Sequence, residues 1–489
     1  MSYDVIIVGA GHNGLVCATR LAQAGRRVLV LERRSVVGGV AAGEEFHPGY
    51  RHVGLLHDSV GVRPEVIADL KLDVRTRVAP KLHGVNAEGG FALGSAEDLR
   101  PYRDRLARIR DFTLGLLRAP APRIDASGGV WPVAKAALSF RLLGDDEMMS
   151  LLRIGPISAE DFLSEWVSHP QTRALLAAPG LVGTWMGPQS PTSAATLMLE
   201  HLTRFEEVEG GPAALVVALV EAAEKAGVEI RTNVEVTRIR LAAGSVVGVA
   251  TTEGETFDAP RVATSCDPKK TALDLVPPLA CPPMMEEDAR CIRTRGTLAK
   301  VHLALRGPPS FCGLFEERMH TAQTTLELER AFDAVKFREI PKAPPLDIRV
   351  PTLVCPDLAP SGHHVLSVAV HAVPFELDAG WTDETREALW NQVRASLTRF
   401  SPGILDLIVA KEVLSPADIA TRYGLTGGHV YGGEHAIDQL YISRPTLAQA
   451  RHATQIPGLF LCSSGTHPGG GITGAPGYLS AAAILEAGR

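Results

Sequence analysis

The sequence predicts an α/β fold with two domains interleaved along 489 residues. Three observations carry that prediction. Residues 4–32 read as strand, glycine turn, helix, strand and acid. Residues 459–487 read as a second strand, glycine loop and helix, and the long middle alternates helix-rich with strand-rich blocks.

The first block is the most informative. Val5 to Val8 is a continuous apolar run, as a buried parallel strand requires. Gly9-Ala-Gly11-His-Asn13-Gly14 turns it into a helix, and Val28 to Leu31 forms the next strand, ending in Glu32. Each part suits a dinucleotide. Gly9 permits the tight turn, Gly11 lets the backbone approach a pyrophosphate, and Gly14 lets helix and strand pack closely. The helix N-terminus offers free N–H groups to phosphate. Glu32 stands where a carboxylate accepts from ribose hydroxyls. After Arg33 comes a glycine pair, Gly38-Gly39, where a side chain would meet the cofactor. That pair resembles the extended fingerprint of glutathione-reductase-type FAD domains.

Residues 44–56 read as short strands around a turn. Helical periodicity then dominates from Arg63 to Leu202, with a Pro/Ala-rich break near 119–123, a helix from Trp131 to Leu143, and Ser158 as the N-cap of a further helix. A helix from Gly210 to Ala226 is closed by Gly227 and followed by strand, bend, strand from Val228, a hairpin to Thr256 and a buried strand from Arg261. Strands at Leu298–Leu305 and His364–Val370 and a helix near Thr382–Phe400 follow. The resulting division places the nucleotide domain at 1–75, 205–275 and 425–489, and the substrate domain at 76–204 and 276–424.

Composition narrows the function classes. Hydrophobic residues make up 45% and charged residues 21%, an ordinary globular balance. The net charge of −6 argues against a nucleic-acid surface or polybasic membrane patch. No apolar run is long enough for a transmembrane helix, although peripheral membrane contact stays open. Seven scattered cysteines without a CxxC pair fit a reducing compartment. The first motif begins so early that no leader fits before it, so a cytoplasmic location is expected.

The strand at Leu459 runs into Ser464-Gly465-Thr-His467-Pro-Gly-Gly-Gly471-Ile472-Thr473-Gly474 and then a helix from Tyr478. Such a loop brings N–H groups and a helix dipole to a flat, electron-accepting ligand. GAGHNGL, GLFLCSSGTHPGGGITGAPG, SCDPKKT at 265–271 and GGHVYGGEHAIDQLYISRP at 427–445 together resemble the phytoene-desaturase-like flavoproteins. Within them the match is nearest the pyridine nucleotide-disulfide oxidoreductase domain-containing protein 2 branch. The resemblance implies a glutathione-reductase-type Rossmann domain interleaved with an amine-oxidase-like α+β substrate domain, holding non-covalent FAD. It implies that Val234 faces the adenine and that residues 469–473 lie along the isoalloxazine, with Asn13, Arg33, Ser464 and Gly465 among the cofactor contacts. The chain departs from its relatives in two places. Ser463-Ser464-Gly465 lacks the Asp that holds the ribityl chain, and Gly432 replaces a histidine, with His429 and His435 on either side.

The flavin accepts a hydride at N5, and the protein must present an oxidisable C–H bond. Lys300 is the leading catalytic candidate, because its strand resembles one that carries a flavin-facing lysine in monoamine-oxidase-like enzymes. It shares its strand face with Leu298 and His302, which also fits a solvent-facing lysine. His467 and Tyr431 are further candidates; a structural role for His467 is the simpler reading. His57, His201 and His302 read as isolated core or surface histidines. No histidine–carboxylate spacing suits a metal. No second dinucleotide motif appears, so electrons leave to oxygen, a quinone or another carrier. The expected activity is dehydrogenation of a lipophilic or extended small molecule, making C=C or C=N bonds. A redox-neutral flavin-dependent polyene isomerase and a non-catalytic lipid-binding or escort protein are the alternatives.

Overall fold

The structure, a computed structural model, describes residues 3–86, 89–122 and 131–488. Position 123 of the Pro/Ala-rich break lies outside these.

Among the described residues, the first sheet has five parallel strands in the order Leu459–Leu461, Val262–Thr264, Val5–Val8, Val28–Leu31 and Glu229–Arg231. Its central strands are buried along their whole length, because helices cover one face and a three-stranded meander (Val236–Ala242, Ser245–Thr251, Thr256–Asp258) the other. Helix His12–Gln23 starts at Gly11 and packs between helices Gly211–Lys225 and Ala475–Glu486. The last helix begins three residues before its sequence expectation, at Ala475. Pro476 suits the first helical turn, and Gly477 lies so close to the first helix that a Cβ there would stand 2.0 Å from the Asn13 carbonyl.

The second sheet has seven strands in the order Ile408–Leu414, Leu298–Leu305, His364–His371, Leu346–Arg349, Arg318–His320, His83–Gly84 and Phe91–Ala92. Its long strand, Leu298–Leu305, pairs antiparallel with a partner on each side. Ala299, Val301 and Leu303 face helix Asp383–Phe400 through Leu389, Val393 and Leu397. Lys300 and His302 point the other way, yet both are fully buried. A solvent-facing Lys300 is therefore excluded: residues 46–57 cover that face, with Phe46, His52 and His57 against it.

The helical block places helices Pro170–Gly180 and Ser193–Leu202 over one end of this sheet. Ser158 caps helix Ala159–Ser164, its Oγ accepting from the Asp161 N–H at 3.0 Å. The expected strand pair at 44–56 forms as Glu45–His47 against Tyr50–Arg51.

Candidate active site

The first glycine turn opens into a cleft of about 1000 Å³. Its walls include Gly9, Gly11, Asn13, Glu32, Arg33, Gly39, Val234 and Ser464. Glu32 is almost wholly buried, and its two oxygens accept from the backbone N–H groups of Ala10 (2.8 Å) and Arg34 (2.9 Å). A carboxylate oxygen can accept more than one bond, so the oriented group keeps capacity for ribose hydroxyls. The Val234 N–H donates to the Glu32 carbonyl at 2.8 Å, which brings the meander to the cleft. Arg33 is exposed and donates to the carbonyls of Thr421 and Arg422.

Gly14, Gly38 and Gly465 shape the cleft from behind. A Cβ on Gly14 would lie 2.2 Å from the Gly9 carbonyl, one on Gly38 2.8 Å from Val216, and one on Gly465 2.4 Å from Pro268. For Gly38 the nearest obstacle is therefore a helix side chain. The two glycine corners meet directly, with Asn13 Nδ2 donating to Ser464 Oγ at 2.9 Å. Asn13 Oδ1 and His12 Nε2 are buried without a protein partner. A polyhydroxylated, phosphate-bearing ligand suits these groups, the glycine backbone and the helix N-terminus together.

The second recess, about 1090 Å³, adjoins the first: Leu56 in its wall donates its N–H to the carbonyl of Val40 in the cleft, at 3.2 Å. Gly471, Ile472, Thr473 and Tyr431 line it. Burial pushes the Tyr431 phenol well above its ordinary range, and its ring lies 4.9 Å from that of His435. His435 Nε2 accepts from the Gly470 N–H at 3.0 Å and so braces the glycine loop. His429 Nδ1 accepts from the N–H groups of Tyr431 and Gly433. Between these histidines Gly432 has a φ of +65°, which favours glycine, and a Cβ there would also stand 3.1 Å from the Gly465 nitrogen. His467 is not in the cavity wall. It is buried, donates from Nε2 to the Ala119 carbonyl at 3.0 Å, and burial lowers its pKa to about 4.

Lys300 does not line the cavity either; it reaches it through His57. Lys300 Nζ lies 2.9 Å from His57 Nδ1, and His57 Nε2 lies 3.7 Å from an Asp347 oxygen. Asp347 in turn binds Arg318 at 2.9 Å, and Arg318 stands 3.6 Å from Asp58. His57, Asp58, Asp347 and Arg318 all face the cavity. Burial lowers the Lys300 ammonium to about 7 and His57 to about 4. Arg318 holds Asp347 well below the usual carboxylate range despite its burial. In the sequence His57 reads as an isolated histidine. Asp58, one residue on, and the strand alternation of Lys300 and His302 are the only local signals. The fold also gathers His52, His302 and Glu412, whose candidate ligand atoms all lie within 4.8 Å of one another. The two rings stack face to face, 4.1 Å apart at 10°, so their in-plane lone pairs run parallel rather than converging on one ion.

The family model for flavin containing amine oxidoreductases matches residues 143–485, and that for an NAD(P)-binding Rossmann-like domain matches residues 7–63. The chain is 28% identical to a rat (Rattus norvegicus) protein named pyridine nucleotide-disulfide oxidoreductase domain-containing protein 2, over 99% of this chain and 93% of the other. It is 25% identical to the all-trans-zeta-carotene desaturase of Myxococcus xanthus, over 96% of this chain and 90% of the other. A crystal structure of an oxidoreductase from Methanosarcina mazei shares the fold, with a TM-score of 0.63 at 16% identity over 99% of both chains. Among the described residues, no helix is long and apolar enough to cross a membrane. The glycine cradle, the oriented Glu32 and the orphaned Asn13 and His12 atoms fit FAD. The chain belongs to the flavin containing amine oxidoreductase family and is an FAD-dependent oxidoreductase.

Proposed function

We propose that this enzyme dehydrogenates a molecule with a lipophilic body, forming a C=C or C=N bond, with FAD held non-covalently across the two recesses. Bound FAD supplies the acceptance of a hydride. Such a reaction also releases a proton from the neighbouring atom, and a proton in a closed cavity needs a base.

The observation that carries the proposal is the buried row of Lys300, His57 and Asp347. Burial brings the Lys300 ammonium down to about 7, so its neutral amine is well populated near neutral pH. A neutral amine accepts a hydrogen bond from His57 Nδ1–H across 2.9 Å. In that tautomer Nδ1–H also faces the Ser367 carbonyl at 3.2 Å, and the Nε2 lone pair lies on the cavity side, 3.7 Å from the nearest Asp347 oxygen. In the proposed relay, Nε2 takes the substrate proton while Nδ1 hands its own to Lys300. Asp347, anchored by Arg318, stabilises the transient imidazolium. His57 is the group at the cavity wall, and Lys300 acts through it. Apolar residues such as Leu55, Leu56, Val182, Leu199 and Leu298 line much of the remaining wall and exclude water there. Tyr431 adds a hydroxyl that orients a polar substituent beside the glycine loop.

The test starts from a ligand co-purified with the FAD-loaded protein and identified by mass spectrometry. Mixed anaerobically, it should bleach the flavin in the native enzyme. In Lys300→Met the bleaching should slow by about 10² or more, the scale of a lost general base, with FAD still bound. An unchanged rate of bleaching removes Lys300 and its relay from the mechanism.

A further inference from the structure

Arg63 stands in the wall between two recesses. It lines the interior cavity and also an outer pocket of about 810 Å³, and Leu117 is the other residue common to both. Its backbone N–H donates to the Thr473 carbonyl at 3.1 Å, which fixes it beside the glycine loop. The side chain is almost completely buried, with the guanidinium 5.3 Å from the centre of the Phe205 ring.

What sets Arg63 apart is the lack of an anion. Its Nε and Nη1 are buried and unbonded, and no carboxylate lies within ion-pair distance among the described residues. The other full charges of the cavity are matched. Arg318 has Asp347 and Asp58, and Arg204 has Glu200 at 2.9 Å. Glu65, the nearest acid in sequence, binds Arg118 instead. Arg110 lies 5.4 Å from the same Phe205 ring, and its charge and that of Arg118 oppose the pull of Glu65 on Arg63. Burial has already lowered the Arg63 pKa to about 10. A buried guanidinium without a counter-charge is costly, and a carboxylate or phosphate offers it two parallel hydrogen bonds.

We infer that Arg63 anchors the anionic head group, a carboxylate or phosphate, of a ligand whose apolar body lies in the cavity. The mouth of the cavity is then at Arg63 and Leu117. This inference rests on the reading of the cavity as the substrate site, and it narrows the substrate to an acidic lipophile rather than a plain hydrocarbon or an alkylamine.

The experiment titrates the FAD-loaded full chain with decanoate, decyl phosphate, decanol and decylamine, reading the shift of the flavin absorbance spectrum. One or both anionic probes should bind about tenfold or more tighter than decanol and decylamine. Arg63→Met should remove that preference and leave decanol binding unchanged, while Arg63→Lys keeps part of it. No turnover is involved, so Lys300→Met should retain the preference even if the proposed dehydrogenation fails. Equal binding of all four probes, no binding of either anion, or a preference that survives in Arg63→Met overturns the inference. So does an Arg63→Met protein that loses FAD while binding decanoate normally, since Arg63 would then serve the cofactor.

Discussion

The two recesses are built by different means. The cleft at the N-terminal turn is largely a backbone structure: glycines, a helix start and the oriented Glu32 from residues 8–40 form one side, and Val234, Ser265, Gly424, Gly432 and Ser464 close it from other parts of the chain. The cavity is a side-chain structure. His57, Glu200, Arg318 and Asp347 line it from separate elements, with Lys300 behind His57, and a seven-stranded sheet and its covering helices bring them together. A backbone site is specified by residue spacing, since glycine and a helix start do the work wherever they occur. A side-chain site is specified by register, which local sequence does not state. Substitutions should therefore separate the two: cleft variants lose cofactor and keep the chemistry, cavity variants the reverse.

The largest effect that sharpens this contrast is expected at Glu32. Glu32→Ala removes the carboxylate that receives the Ala10 and Arg34 N–H groups and faces the cleft. Charge-assisted hydrogen bonds of this kind contribute about 1.5–3 kcal/mol each, so FAD affinity should fall by about 10- to 100-fold. Fluorescence titration of apoprotein with FAD measures it. At saturating FAD the rate of flavin reduction should match the native enzyme. A Glu32→Ala protein that holds FAD normally but reduces it slowly would break the division.

The cavity should show itself through pH. Lys300 is held near 7 by burial, against the pull of Asp347 and Asp58, and the base needs its neutral form. His52, His57 and His302 are all pushed below the ordinary histidine range by burial, so none of them gains charge between pH 6 and 8. Flavin reduction should therefore rise with pH, roughly tenfold from pH 6 to 8 for a single group titrating at 7, and then level off. Stopped-flow reduction across that range reads it, and Lys300→Met should flatten the profile. A rate that falls with pH would mean that a protonated group drives the step.

The same contrast explains what the sequence shows. The strand–turn–helix at 5–23, the acid at 32, the two terminal glycine loops and the Ser158 cap are legible, because each is a local pattern with one backbone consequence. The burial of Lys300 is not. Its alternation with Leu298 and His302 is the same whether the face meets water or residues 46–57, and only the packed structure decides. His57 carries no motif at all; it becomes part of the site because its loop crosses that strand. Arg63 looks like any helix-flanking arginine until the absence of a partner is seen. Gly38 is legible as a required glycine, but its obstacle, Val216, comes from a helix far along the chain.

The smallest effect tests whether the helical block stands apart from both recesses. Ser158 caps helix Ala159–Ser164 through a hydrogen bond to the Asp161 N–H, and its hydroxyl also reaches the Asp161 carboxylate at 2.7 Å. Neither residue lines the cleft or the cavity. Ser158→Ala should cost about 1 kcal/mol of stability, the usual loss for an N-cap, read as a lower midpoint in urea with an unchanged slope. FAD affinity and the pH profile of flavin reduction should not move. The cavity wall, however, includes Pro179, Gly180 and Thr196 from the two helices that pack on this short one. If Ser158→Ala slows flavin reduction while FAD stays bound, the cap is helping to set the cavity wall, and the side-chain site extends further into the helical block than its lining residues indicate.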